Sequence, residues 1–479
     1  MPKQKKQKFN TELCTNDMTF DDCELAILRH AVDEAQKENA VKIVQNEEVK
    51  RMITIVEEFL KKKKCVCYGG TAINNILPKH AQFYDKEIEI PDYDFYSKDA
   101  MKDAKELADI YFKEGFEEIE AKAGVHFGTY KVYVNFIPIA DITYLHPVLY
   151  ESISKEAISV GGIKYSPPNL LRLNMFLELS RPAGDTSRWE KVLKRLTLLN
   201  THYPLKVKDC HKMEFQRKLE SFKDKSEEIY YTLRDVFSDE GTIFLGGYGT
   251  RLFSKYLKKE DAIVKKVPDF EVISEDADQV ATIAIERLKD IGIKASTTKH
   301  PNIGELIPEH IEIHSQNETL GFIYSPIACH SYNTISMKNM EIKVATIDTM
   351  LSFYLAFYYS DLPYQPKNRV LCMSKFLFDV EDRNRLEQKG LLKRFSINCH
   401  GEQPTMESIR AEKVKKFNEL KSKRNTREYD LWFLKYGYSK GVPLTNNFKS
   451  KSLKNKKKIN KTKKKKNKSV MRKLKSLFT

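Results

Sequence analysis

From Asn46 to Leu60 apolar residues recur at helical spacing: Val49, Met52, Ile53, Val56, Phe59 and Leu60. The pattern then changes, because Cys65–Tyr68 is a short apolar, β-like run and Gly69-Gly70 breaks it. The expected order is helix, strand, tight turn, helix. The same order returns from Ser226, where Ile229, Leu233, Val236 and Phe237 share a helical face, Ile243–Leu245 is strand-like, and Gly246-Gly247 follows. Gly70 and Gly247, Pro91 and Pro268, Asp92 and Asp269, Asp94 and Glu271, Ser97 and Ser274, Gly115 and Gly292 are each 177 positions apart. One offset at six positions argues for a duplicated unit with equal element lengths, its copies facing each other about a pseudo-twofold axis. Further on, the apolar helix Asn169–Leu179 answers Thr349–Tyr359.

Each copy reads as a mixed sheet with helices, so the fold class is α+β. The expected divisions are 1–45 (basic arm and helix), 46–205 (first copy), 206–370 (second copy), 371–445 (helical segment) and 446–479 (disordered Lys-rich tail). Two or three domains suit 479 residues of which 41% are hydrophobic and 31% charged. The most apolar run, Met350–Tyr359, is far short of the ~20 residues a bilayer requires, so no membrane is expected among the partners. Eight cysteines without a C-x-x-C pair read as reduced intracellular thiols. The dipeptides Cys210-His211, Cys329-His330 and Cys399-His400 fit no compact zinc module. The net charge of +16 sits at the ends: Lys449–Lys475 holds 14 Lys and Arg472 without an acid, and Lys3, Lys5, Lys6 and Lys8 add to it. The tail reads either as an arm for a polyanion or as an address.

Pro91–Tyr96 alternates acidic and aromatic residues, and the strand period of two puts Asp92 and Asp94 on one face. Neighbouring carboxylates repel, and a hard cation such as Mg2+ or Mn2+ shared with phosphate oxygens resolves the repulsion. A lone D-x-D is more often a solvated strand face. Here it follows Gly69-Gly70-Thr71, where glycine backbone can approach a triphosphate and the next helix offers free N–H groups. It also precedes a strand ending Ile137-Pro138-Ile139-Ala140-Asp141. Asp92, Asp94 and Asp141 are therefore the expected catalytic, metal-holding acids. Gly69, Gly70, Thr71 and Asn74 are the expected nucleotide-binding residues, with cationic help from Arg172, Arg188, Lys191 or Lys194. The second copy keeps Asp269 and Glu271, but its Ser325-Pro326-Ile327-Ala328-Cys329 matches the third strand and would put a thiol in the third position. The constant offset would put Glu318 there instead. A silent second site follows, so replacing Asp269 and Glu271 by Ala is expected to leave catalysis nearly unchanged.

The joint pattern resembles the nucleotidyltransferase superfamily of poly(A) polymerases, CCA-adding enzymes and polymerase β. More narrowly, Tyr68-Gly69-Gly70-Thr71-Ala72-Ile73-Asn74 followed by Pro91-Asp92-Tyr93-Asp94-Phe95 is similar to the poly(A) polymerase catalytic subunit of large cytoplasmic DNA viruses of poxvirus, asfarvirus and giant-virus type, most strongly over residues 60–200. One departure is the 22 positions from Gly70 to Asp92, more than in most of the superfamily. The resemblance implies tandem nucleotidyltransferase-like units, the second degenerate, and transfer of AMP from ATP to an mRNA 3′ end by two-metal, in-line attack on the α-phosphate. It implies ATP and an RNA 3′ end as partners, a homodimer or a separate processivity subunit, and a viral factory in the host cytoplasm, or the virion, as the place of action. No residue fixes the base, so uridylyl or CCA addition and a non-catalytic RNA-binding role stay open.

Overall fold

A computed structural model describes residues 9–85, 89–217, 219–257, 266–337 and 340–444. The Lys-rich tail 446–479 and Lys3, Lys5, Lys6 and Lys8 lie outside the described residues. The fold is α+β, as expected. Along the first copy run α1 (Phe20–Val44), α2 (Glu47–Lys63), β1 (Val66–Cys67), α3 (Gly69–Ile76), β2 (Tyr93–Ser97), α4 (Ala100–Lys113), β3 (Ile119–Ala123), β4 (Thr129–Val134), β5 (Ile137–Tyr144), α5 (Pro147–Glu156), β6 (Ile158–Val160), β7 (Ile163–Tyr165), α6 (Pro168–Leu179) and α7 (Trp189–His202). The series then restarts with α8 (Ser226–Asp239), β8 (Ile243–Leu245), α9 (Gly246–Arg251), β9 (Phe270–Ile273), α10 (Ala277–Asp290), β10 (Ser296–His300), β11 (His310–Ser315), β12 (Glu318–Tyr324), β13 (His330–Met337), β14 (Met340–Ala345), α11 (Ile347–Ser360) and α12 (Lys367–Arg383). Last come β15 (Cys399–His400), α13 (Met406–Leu420), α14 (Arg427–Phe433), β16 (Lys435–Ser439) and β17 (Val442–Leu444).

Packing groups the described residues of Met1–Lys98 with those of Tyr144–Ile409, and those of Asp99–Thr143 with those of Arg410–Thr479, into two compact bodies. These groups cut across the divisions drawn from the repeat. In the first body β1 pairs antiparallel with β2 and parallel with β7, β6 pairs with β7, and a second sheet runs β10-β11-β12-β9-β8-β14-β13-β15. Helices α6 and α11 pack together, and the apolar run Met350–Tyr359 is buried within α11 apart from the half-buried Tyr358. Among the described residues no helix is long and apolar enough to cross a membrane.

In the second body β17, β16, β3, β4 and β5 follow one another in an antiparallel sheet. Helix α4 lies on one face: its Asp109 accepts from the Tyr436 and Tyr438 hydroxyls at 2.6 and 2.7 Å, and its Phe112 stacks on Tyr438 at 3.8 Å. The expectation of a helical segment over 371–445 is thus corrected at its end, because Lys435–Ser439 finds a strand partner in β3 that local sequence does not display. The all-reduced reading of the cysteines is also corrected: Cys14–Cys23, Cys210–Cys372 and Cys329–Cys399 are bonded, while Cys65 and Cys67 are buried and not in a disulfide.

The two series agree in detail. Gly69 and Gly246 both have positive φ (+72° and +67°), and Asp99 and Asp276 cap α4 and α10. The β4–β5 hairpin turns at Asn135-Phe136 with a register shift after Val132; the β11–β12 hairpin turns at Gln316-Asn317 with a shift after Ile313. Aligned on these features, Asp141, which pairs with Lys131, corresponds to Phe322, which pairs with Glu312. Neither Cys329 nor Glu318 holds the third position. Cys329 is bonded to Cys399 beyond the strand, and Glu318 opens β12, accepting from the Glu220 and Ser221 amides.

The remaining acids of the second copy have internal partners. Asp269 and Glu271 are 1% and 0% exposed. Arg217 donates to both, Nε to Asp269 at 2.6 Å and Nη2 to Glu271 at 3.1 Å, while its guanidinium lies over the Phe322 ring at 4.9 Å. Arg369 of α12 donates to both acids at 3.3 Å, and Gln365 to Glu271 at 3.1 Å. Burial pushes the Asp269 carboxyl up, but the charges of Arg217 and Arg369 more than offset it and hold it below the usual carboxylate range. A Cβ on Gly247 would lie 2.2 Å from the Phe215 carbonyl oxygen, so backbone fills the approach to this turn.

Sequence alone expects Asp269→Ala with Glu271→Ala to be harmless to catalysis, and the structure adds a stability cost. The double variant leaves Arg369, 5% exposed, without an acid, and breaking a buried pair from one side costs about 3–5 kcal/mol. The denaturant midpoint should fall accordingly, and an unchanged midpoint would show that the cluster does not hold the fold.

Candidate active site

The first glycine turn sits between β1 and α3. Tyr68 N–H donates to the Asp94 carbonyl at 2.9 Å, which lays the turn along β2. Gly69 has no alternative here, since its φ is +72° and an added Cβ would meet Asp94 Oδ2 at 2.5 Å. Helix α3 begins without a side-chain cap, so its first-turn N–H groups remain a site for anionic oxygens. Asp92 is exposed just before β2 and Asp94 is partly buried within it. Two residues apart on extended backbone, they present a hard, all-oxygen donor pair.

Two of the expected nucleotide ligands act as braces. The Thr71 hydroxyl donates to the Asp92 carbonyl at 2.7 Å, steadying the acid's backbone. Asn74, 2% exposed, accepts from the Phe83 and Tyr84 amides at 2.7 and 2.9 Å. A cavity of about 820 Å3 opens beside Asp92, with Ile53, Glu57, Asn75, Tyr84 and Tyr165 in its wall.

The cation at the turn is one the sequence reading missed. A Cβ on Gly70 would meet Tyr84 Oη at 2.3 Å and Arg195 Nη1 at 2.9 Å. Arg195, from α7, donates to that phenol at 2.7 Å and stacks over Phe83 at 4.9 Å. The four residues expected in this role lie elsewhere. Arg172 is 1% exposed between Asn169 and Asn200, and burial lowers its pKa to about 10; Arg188 pairs with Glu178 and Lys194 with Glu190, while Lys191 points to solvent. The available signal was faint: Arg369 stands at the second glycine turn, but 174 rather than 177 positions from Arg195.

Asp141 belongs to the other compact body, where it is 19% exposed and ion-paired with Lys131 across β4 and β5. Among the described residues no group of three or more His, Cys, Asp or Glu is gathered as a metal cluster.

A glycine turn opening an uncapped helix beside a D-x-D strand is what the sequence resemblance to nucleotidyltransferases implies. Residues 54–185 match the family model described as "Poly(A) polymerase catalytic subunit", which bears out the resemblance read from the sequence. An African swine fever virus protein (isolate Tick/Malawi/Lil 20-1/1983) named "Putative poly(A) polymerase catalytic subunit" is 31% identical over 166 residues, 33% of this chain and 34% of that protein. A protein of the same name from Acanthamoeba polyphaga mimivirus is 29% identical over 163 residues, 33% of this chain and 27% of its own. The chain thus spans about a third of the length of these curated relatives. The fold matches the crystal structure of the Megavirus polyadenylate synthase with a TM-score of 0.71, at 19% identity over 87% of this chain and 86% of that one.

The Gly69 contact can be isolated by comparison with Gly161, which has φ +60° and nothing within 4 Å of an added Cβ. Gly161→Ala should cost only the left-handed strain of about 1–2 kcal/mol, and Gly69→Ala more, because Asp94 must also move. Equal losses in denaturant unfolding would show that Asp94 is not held against the turn.

Proposed function

We propose that this chain is a polynucleotide adenylyltransferase that adds AMP from ATP to RNA 3′ ends. The observation that supports this most strongly is the contrast between the two glycine turns. Above Gly70 lie the movable ends of Tyr84 and Arg195, with Asp92 and Asp94 alongside; above Gly247 lies the Phe215 backbone, and the matching acids are consumed by arginines. Only the first turn leaves room for a triphosphate.

The donor set suits Mg2+ or Mn2+, being carboxylate oxygen next to a backbone cradle with no Cβ. Asp92 and Asp94 would hold it, and the sequence resemblance adds Asp141. When bound, such ions supply Lewis-acid charge and lower the pKa of the attacking hydroxyl. The chain's own groups position the reactants. The Gly69-Gly70 backbone and the first turn of α3 receive phosphate oxygens, Arg195 meets the negative charge that grows on departing pyrophosphate, and Thr71 and Asn74 keep these parts in register. The RNA 3′ hydroxyl attacks the α-phosphate in line, its oxygen forming the new P–O bond as the bond to pyrophosphate breaks. The choice of adenylate rests on the names of the relatives and of the fold neighbour. The word "subunit" in those names supports a partner chain, set against a homodimer, and a cytoplasmic viral factory or particle rests on the resemblance alone.

The test is purified full chain with a short RNA primer and each NTP separately, in Mg2+ or Mn2+. ATP should extend the primer. Asp92→Ala and Asp94→Ala should each cut extension at least about a hundredfold while melting normally, and Arg195→Ala should raise the KM for ATP by about tenfold, the worth of one charged hydrogen bond. Near-wild-type extension by either aspartate variant would sink the site, and equal use of all four NTPs would sink adenylate specificity.

A further inference from the structure

The sheet of the second body has one face covered by α4 and one open. Along β3 and β4 the residues Ile119, Ala121, Tyr130, Val132 and Val134 are buried, so Glu120, Lys122, Lys131 and Tyr133 point the other way. On β16 the Tyr436 and Tyr438 hydroxyls reach Asp109 on the α4 side, which leaves Lys435 on the open face. The register then lines up four residues on neighbouring strands: Lys435 opposite Lys122, Lys122 opposite Lys131, and Lys131 opposite Asp141. It is a straight row of three ammoniums ending at a carboxylate.

Such a row is costly in isolation. Like charges directly opposite each other on neighbouring strands destabilise a sheet, and here two such pairs adjoin. Glu120 bonds Lys122 at 2.8 Å and Asp141 pairs with Lys131, which offsets part of the repulsion. The side chains stay accessible, Lys122 at 40% and Lys131 at 35%, and Lys435 is exposed. Aromatic surface lies among them. Lys122 Nζ is 4.2 Å from the Tyr133 ring centre, and Phe136, at the tip of the β4–β5 hairpin, is 83% exposed on backbone of φ +67°, a conformation that bulky residues rarely hold. A hollow of about 340 Å3 joins Lys122, Tyr133, Phe136 and Lys435.

We propose that this open face is the track for the 3′-terminal segment of a single-stranded RNA, with its phosphates on Lys435, Lys122 and Lys131, its bases against Tyr133 and Phe136, and its 3′ end at Asp141. The proposal deepens the adenylyltransferase reading, on which the direction of the strand rests. A linear row suits a backbone polyanion better than a compact phosphate, which needs converging donors, and basic side chains interleaved with aromatic ones are what unpaired bases stack on. Lysine stems are long and flexible, so the ammoniums can follow a strand without reading its sequence.

Binding without NTP keeps this test apart from catalysis. The full chain is titrated with a 5′-labelled, unstructured RNA oligonucleotide across a salt series, alongside Lys122→Ala with Lys435→Ala and the pair Lys122→Arg with Lys435→Arg. Lys131 is left intact because of its pairing with Asp141. Each lost phosphate contact flattens the log–log salt slope by about 0.7, so the alanine pair should lose about 1.4 and bind more weakly, while the arginine pair keeps the wild-type slope. Melting curves matching wild type exclude misfolding for these exposed sites. An alanine pair with wild-type slope and affinity overturns the track, as does an arginine pair as defective as the alanine pair, since charge would then not be the cause. Extension of primers by a chain whose alanine pair binds normally removes the track and keeps the adenylyltransferase. A chain that binds with the expected slopes but extends no primer keeps the track and removes the enzyme.

Discussion

The site depends on one close approach, that of the Gly69 backbone to the Asp94 side chain. The Tyr68 N–H bond to the Asp94 carbonyl fixes the turn along β2, and the missing Cβ lets the strand's carboxylate lie where any other residue would collide with it. From that contact the rest follows by covalent geometry. Helix α3 must start at the carboxylates, its uncapped N–H groups must face the same space, and Thr71, within its first turn, must reach the Asp92 carbonyl. Uncapped backbone N–H groups and carboxylate oxygens are thereby brought together by a two-residue turn.

The second copy gives the same frame internal partners. Its turn keeps the positive φ of Gly246, and its strand keeps both acids. Two buried carboxylates without a counter-charge would be prohibitive, so guanidiniums from Arg217 and Arg369 take the place of cations. The third acid is replaced by Phe322, against which Arg217 stacks. The result is a fixed internal salt-bridge cluster in which buried acids and arginines require one another.

Much of this was legible in the chain. The glycine pair, the D-x-D and the constant offset mark both turns and both acid pairs, because backbone sterics and strand period act over a few residues. What escaped depends on register and on distant partners. The match of Pro138-Ile139-Ala140 to Pro326-Ile327-Ala328 pointed to Cys329, but hairpin alignment points to Phe322, since turn residues and a bulge set register where a tripeptide does not. The three bonded cysteine pairs span 9, 162 and 70 residues, separations that carry no local sign. Strands β16 and β17 follow a helical stretch and exist because β3 offers an edge. Arg195 was passed over because its relation to the turn runs through a phenol 111 residues away.

That phenol also gives the long interval between Gly70 and Asp92 a purpose. Asn74, fixed in α3, accepts the amides of Phe83 and Tyr84; Tyr84 then takes the hydrogen bond of Arg195. The cation is therefore positioned from the same helix whose first-turn N–H groups are uncapped, and a guanidinium held in place beforehand loses less entropy on meeting an anion. Its present partner is a neutral hydroxyl, and a phosphate oxygen forms the stronger, charge-assisted bond. Arg369 at the other glycine differs: its donors are bound to the Phe215 carbonyl, Gln365, Asp269 and Glu271, the last two carboxylates. An incoming triphosphate could displace a phenol, whereas displacing that set would leave two carboxylates buried and unpaired. The two turns thus differ less in their glycines or acids than in whether the arginine beside them is held by a partner weaker than phosphate.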